Sequence, residues 1–136
     1  MNKFFIYLAV FSAVTLTSCS SASKDVSLEL SIQEKVTILE NGKWLLKGFE
    51  ISVMHTFKNG EQFTYYGTDN VFSDTPIPGT QEYTISGDLL VVDYNFGNIA
   101  NYELKLSCNN NIIDFYKDGE LNRTLYRKDS NYKECL

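Results

Sequence analysis

Tyr102-Glu103-Leu104-Lys105-Leu106-Ser107-Cys108 decides the fold class. Tyr102, Leu104, Leu106 and Cys108 fall on one face of an extended chain, and Glu103, Lys105 and Ser107 on the other. That strict period of two is the pattern of a strand with one face buried and one in water. Asn109-Asn110-Asn111 then turns the chain into Ile112–Lys117. Asp118-Gly119 follows, a pair suited to a type I′ hairpin because both central residues there need positive φ. Glu120–Arg127 is the last strand.

The same grammar continues upstream. Gln81–Ile85 and Leu89–Tyr94 flank Ser86-Gly87-Asp88, and Gly97-Asn98 is a further turn. Phe49, Ile51 and Val53 alternate with Glu50 and Ser52, and lead through Lys58-Asn59-Gly60-Glu61 into Phe63 and Tyr65. Thr68–Gly79 carries Pro76 and Pro78, which cannot donate to a ladder, so it reads as a loop or an edge. About eight strands at this spacing imply an all-β domain. The expected form is a small antiparallel up-and-down barrel of about eight strands with a short N-terminal helix. A β-sandwich is the alternative, and it would show two open sheets with Greek-key crossings. The helix is read over Ile32–Glu40: Ser31 and Glu34 form a capping box, and Ile32, Val36 and Leu39 share a face. Asn41-Gly42 is the expected left-handed stop. Val36, Thr37 and Ile38 are β-branched and leave a strand as the competing reading.

The N-terminus carries an address. Lys3 precedes an apolar run, Phe4 to Leu16, too short to span a bilayer. Leu16-Thr17-Ser18-Cys19 has the aliphatic, small, small, Cys pattern of a lipoprotein cleavage site. The expectation is a signal peptide over 1–18 and a lipidated Cys19 with a flexible serine-rich tether over 19–30. The barrel then spans 31–128, followed by a C-terminal tail, 129–136. Cleavage leaves 118 of the 136 residues, enough for a single core. Several acyl chains on one cysteine give stable anchoring. A bacterial outer-membrane location follows, with the membrane as one partner.

Removing 1–18 deletes one base and no acid, so the net charge moves from −5 to −6. An acidic domain disfavours nucleic acid. A monomer is expected. His55 is the only histidine, with no second one to share a metal, and reads as a structural or surface residue. The acids Asp69, Asp74, Asp88, Asp93, Asp114 and Asp118 sit near turns without calcium-loop spacing. No nucleophile–base–orienter set stands out, so no catalytic residue, metal or cofactor is expected. Aromatic residues supply 15 of the 118 mature positions, and most are needed to fill a core. The alternative is that Phe49, Phe63, Tyr65, Tyr83, Tyr102 and Phe115 line an internal cavity. An apolar void of about 300 Å³ or more would favour that reading.

Gly42-Lys43-Trp44, directly after the short helix, resembles the Gly-x-Trp signature of lipocalins. Gly79-Thr80-Gln81-Glu82-Tyr83-Thr84-Ile85-Ser86-Gly87-Asp88-Leu89-Leu90 resembles a stretch of the lipocalin-like domains on bacterial, Bacteroidetes-type lipoproteins, and Leu125-Tyr126-Arg127-Lys128 fits their ending. The resemblance covers about Asn41 to Lys128. It implies a non-enzymatic barrel that binds a small apolar ligand or an envelope partner. The alternative is a ligand-free interaction or inhibitor module with a filled core. It also implies that Trp44 lies on the barrel floor under an arginine of the last strand, Arg127 or Arg123. The tight Asn59-Gly60 turn stands where larger lipocalins carry a long lid, which implies a shallower pocket. Lipocalin-like domains often pin their C-terminal segment to the barrel, and Cys108 with Cys135 would do so here. Two separate thiols are the alternative.

Overall fold

The computed structural model describes residues 29–136, so the expected signal peptide, Cys19 and most of the tether lie outside the described residues. The strands are β1 (Lys43–Leu46), β2 (Val53–Lys58), β3 (Glu61–Thr68), β4 (Val71–Phe72), β5 (Gln81–Ser86), β6 (Leu89–Asp93), β7 (Ile99–Ser107), β8 (Ile112–Lys117) and β9 (Glu120–Arg127). Eight of them pair antiparallel in the ring β1-β2-β3-β5-β6-β7-β8-β9 and back to β1, and β4 hangs on β3 outside it. This is a closed all-β barrel, not a sandwich. Its weakest seam is β3–β5, paired only at Glu61↔Glu82 and Gln62↔Gln81. Beyond that pair the proline-flanked Ile77 continues the edge with one bond, its N–H donating to Thr64 O at 2.8 Å. Pro76 and Pro78 have no N–H to add.

Helix α1 (Ile32–Glu40) forms despite its β-branched run. Both capping-box bonds are present: Ser31 N–H donates to Glu34 Oε2 at 2.8 Å and Glu34 N–H to Ser31 Oγ at 3.3 Å. Ile32, Val36 and Leu39 are buried in the barrel core. Each is worth roughly 1.5–3 kcal/mol, against a propensity cost of up to about 0.7 kcal/mol per β-branched residue, so packing wins. The helix plugs one end of the barrel. Trp44, Phe57, Leu90, Leu104, Ile113, Phe115 and Leu125 fill the space above it, all at most 1% exposed.

The expected left-handed stop at Asn41-Gly42 is absent: Asn41 has φ −89° and Gly42 is not in the left-handed region. Gly42 is needed for space. A Cβ there would lie 2.6 Å from Trp44 Cε2 and 2.7 Å from its Nε1. Trp44 is fully buried and cannot yield, so Gly42→Ala is expected to destabilise by about 1–3 kcal/mol, read as a lower denaturation midpoint.

Three expectations about the strands need correction. Phe49–Ser52 is a tight loop rather than strand, so the first strand is broken into β1 and β2. Phe49 O accepts from both Ser52 N–H and Val53 N–H, which closes the turn. Cys108 leaves the inner face of β7, because φ +54° starts a run of three left-handed residues, Cys108, Asn109 and Asn110. The tail is also not merely polar chain. It forms a 3-10 helix, Tyr132–Cys135, with Tyr132 buried on the outside of the barrel. There Tyr132 stacks on Tyr126, ring centroids 4.4 Å apart, over Leu45, Met54 and Ile112. Cys108 and Cys135 are joined as a disulfide at its edge.

Candidate functional site

The last strand places the chain's two arginines, four residues apart, on the inner face at opposite ends of the barrel. Arg127 sits at the helix end. Its guanidinium carbon lies 4.6 Å from the Trp44 ring centroid, and it donates to Asn41 O, Asn110 O and Ile38 O. It therefore supplies the positive charge that the last turn of α1 lacks. The Trp44 indole N–H donates to Leu39 O at 2.7 Å. Of the two candidates for the Trp44 partner, Arg127 takes the place and Arg123 does not.

Arg123 stands at the other end, where the barrel opens. The mouth is bordered by the Lys47–Ser52 loop, the Thr68–Thr80 segment, and the turns at Tyr94–Asn98 and Asp118-Gly119. An open cup of about 400 Å³ sinks between Leu46, Phe49, Val53, His55, Gln62, Thr64, Tyr66, Ile77, Gln81, Tyr94 and Arg123. An adjoining recess of about 470 Å³ shares Leu46, Phe49, His55 and Arg123. The β8–β9 register slips beside Arg123: Phe115 pairs with Arg123 but Tyr116 with Leu121. Asn122 is the extra residue of that bulge, a device that re-aims side chains at barrel rims.

The floor of the cup is a polar chain. Arg123 Nη2 donates to Gln62 Oε1 at 3.1 Å, and Gln62 Nε2 lies 3.3 Å from His55 Nδ1. Thr64 Oγ1 is 3.0 Å from the same nitrogen. Arginine can only donate, so Gln62 must turn its oxygen to Arg123 and its NH₂ to His55. His55 therefore accepts at Nδ1 and carries its proton on Nε2. Burial, together with the Arg123 charge, lowers the His55 pKa to about 4. Under the guanidinium lie Phe115, 4.2 Å from ring centroid to Arg123 Cζ, and Tyr102 at 5.6 Å. Tyr102 meets Phe115 edge-on and shares a 3.0 Å hydroxyl bond with Tyr94. Burial and then that bond raise its pKa above the ordinary phenol value.

His55 makes stability depend on pH with a definite sign. The unfolded chain binds a proton at about pH 6.5, the folded chain only near 4. Between those values the unfolded state holds more protons, so stability rises with pH across the window. It is complete above pH 6.5 and lost progressively as pH falls towards 4. From pH 7 to pH 5 the loss is about 2 kcal/mol. Urea denaturation at the two pH values measures it, and His55→Phe should flatten the difference.

Of the six aromatics expected to line a cavity, Phe49 alone borders the cup, 57% exposed. Tyr102 and Phe115 lie beneath it as packing. Tyr83 is deeper still, edge-on to Phe57 with its hydroxyl donating to Glu40 of α1, and burial raises its pKa. Phe63 and Tyr65 are corrected outright. Gln62 and Thr64 take the inner face of β3, so period two sends Phe63 and Tyr65 outside. Tyr65 packs there with Met54, Phe72 and Tyr126. Sequence reasoning missed Gln62, Thr64 and Tyr94, and weighed Arg123 for the wrong end.

The rim is apolar. Phe49, Ile51, Tyr66, Phe96, Ile99 and Leu121 are all at least half exposed, and all belong to the loops and strand ends at the mouth. Among the described residues no group of three or more His, Cys, Asp or Glu is placed to hold a metal ion, and no helix is long and apolar enough to cross a membrane. Comparison with family models, with curated proteins and with solved structures finds no match to this chain.

Proposed function

We propose that this chain is a membrane-anchored lipoprotein whose lipocalin-like barrel is a non-enzymatic carrier of a small ligand in the cup at its open end. The observation that carries the reading is the division of the barrel. Its helix end is filled by fully buried side chains, whereas the mouth end holds an open space of about 400 Å³ with convergent polar groups at its base. His55 is engaged by Thr64 and Gln62, which suits a binding floor better than a reacting one. The mixed lining argues for a ligand with a polar head, not for the wholly apolar one that the sequence suggests. The apolar rim supports a second reading, an interaction module that uses Phe49, Phe96 and Leu121 to meet an envelope protein. Native mass spectrometry of protein extracted from its own membrane separates the two. A small-molecule adduct that Thr64→Trp abolishes supports the carrier. A bare barrel bound to a second protein supports the module.

The anchor and the outer-membrane location rest on Leu16-Thr17-Ser18-Cys19. Cys19→Ala is expected to block acylation and leave 1–18 attached, because cleavage follows lipid attachment. Metabolic labelling with a fatty-acid analogue checks it, and label retained by Cys19→Ala refutes the assignment.

A further inference from the structure

We infer that the cup is selective for a small amphiphilic carboxylate, whose head pairs with Arg123 and whose apolar part rests on the rim. The inference deepens the carrier reading and rests on it.

Arg123 is the observation. Its Nε is buried without a hydrogen-bond partner. Its only hydrogen bond among the described residues is the one from Nη2 to Gln62. No carboxylate of the described residues lies within ion-pair distance of it, although the whole chain carries 17 acids against 12 bases. A half-buried cation without a counter-ion is costly, and proteins ordinarily pair one. The aromatic faces of Phe115 and Tyr102 hold the guanidinium in place but supply no negative charge. His55, which lines the cup beside the phenols Tyr66 and Tyr94, has its pKa lowered to about 4 by burial and in neither protonation state supplies a negative charge. The cup thus presents one fixed positive charge without a counter-ion to whatever enters it.

The geometry narrows the anion. A guanidinium is a planar fork that matches a carboxylate, two donors to two oxygens. A phosphate monoester carries close to two charges at pH 7, and one would stay uncompensated in a half-buried cup. The Tyr94 hydroxyl stands among the lining groups, and where it accepts from Tyr102 its own proton is left as a further donor to the head. Above them the walls turn apolar at Leu46, Phe49, Val53 and Ile77. A ligand with a charged end and a hydrocarbon or aromatic body meets both halves of the surface, and a wholly polar or wholly apolar one meets half.

The test uses the mature chain without Cys19, Ser20–Leu136, with octanoate and octanol as probes of equal chain length. Binding at pH 7 is followed on the imidazole resonance of His55, which is unambiguous because the chain has one histidine. Octanoate is expected to bind at least tenfold more tightly than octanol. Arg123→Met should remove that preference, bringing octanoate binding down to or below that of octanol. The wild-type comparison stands even where the variant fails to fold. Equal binding of the two probes overturns the carboxylate inference and leaves the carrier reading intact. Octyl phosphate binding more tightly than octanoate overturns the choice of a singly charged head. Failure of all three probes to shift His55 overturns the inference, while the carrier reading itself falls only if native mass spectrometry also finds no small-molecule adduct.

Discussion

Trp44→Ala is expected to remove about 3–5 kcal/mol of stability, enough to leave the barrel marginal or unfolded at 37 °C. Three losses fall on one residue. A fully buried indole, the largest side chain of the core, leaves a void that neither the helix nor the strands can close. Leu39 O loses its 2.7 Å donor inside the protein. Arg127 loses the ring beneath its guanidinium and keeps only carbonyl partners. The damage is directional: α1 is docked on the barrel through this indole, so amide exchange at Val36 and Leu39 should rise before exchange in β7 and β8. Trp44→Phe separates the parts, since it keeps most of the ring volume and loses the indole N–H. A Trp44→Ala protein with an unchanged urea midpoint would overturn this account of the floor.

The strands were legible wherever a turn residue and a period of two agreed. Asn59-Gly60 and Asp118-Gly119 all adopt positive φ, as the hairpin reading requires. The β7 alternation delivers Tyr102 and Leu104 to the core. The capping box at Ser31 outweighs the β-branched run at Val36 because burial, not propensity, decides that helix. Direction was less legible, because parts of this sheet are covered on both faces. Met54, Tyr65 and Tyr126 are buried or half-buried outside the barrel, and Gln62 and Thr64 are buried inside it. Polarity cannot then say which way a strand faces, and an aromatic count mistakes Phe63 and Tyr65 for lining.

The signal for the cup was nevertheless present in two triplets. Val53-x-His55-x-Phe57 and Leu121-x-Arg123-x-Leu125 each set a polar residue between apolar ones at period two. Such a residue is carried to the inner face with its neighbours. The loop that would have betrayed the mouth was hidden, because Phe49-Glu50-Ile51-Ser52-Val53 alternates like a strand while its backbone turns at Phe49.

Removing the bond between Cys108 and Cys135 should cost roughly 3.5 kcal/mol by the chain-entropy relation, for a sequence separation of 27 residues. The tie encloses β8, β9 and the tail, so its loss frees a large part of the unfolded chain. It also acts in the folded state. Tyr132 is held on Tyr126 by the turn of 3-10 helix that ends at Cys135, and together they cover Leu45, Met54 and Ile112. The hydrogen-bonded ring does not need the tail, since β9 ends at Arg127 and pairs with both β1 and β8. Cys135→Ser should therefore keep the far-ultraviolet signature of the barrel, lower its urea midpoint, and expose an apolar outer patch that binds a hydrophobic dye. Tyr132→Ala with the bond intact should expose the same patch at a smaller loss of stability, because the unfolded chain stays cross-linked. Thiol titration of the unfolded, unreduced mature chain lacking Cys19 decides the premise. No free thiol is expected, and two per chain would remove the tie from the argument.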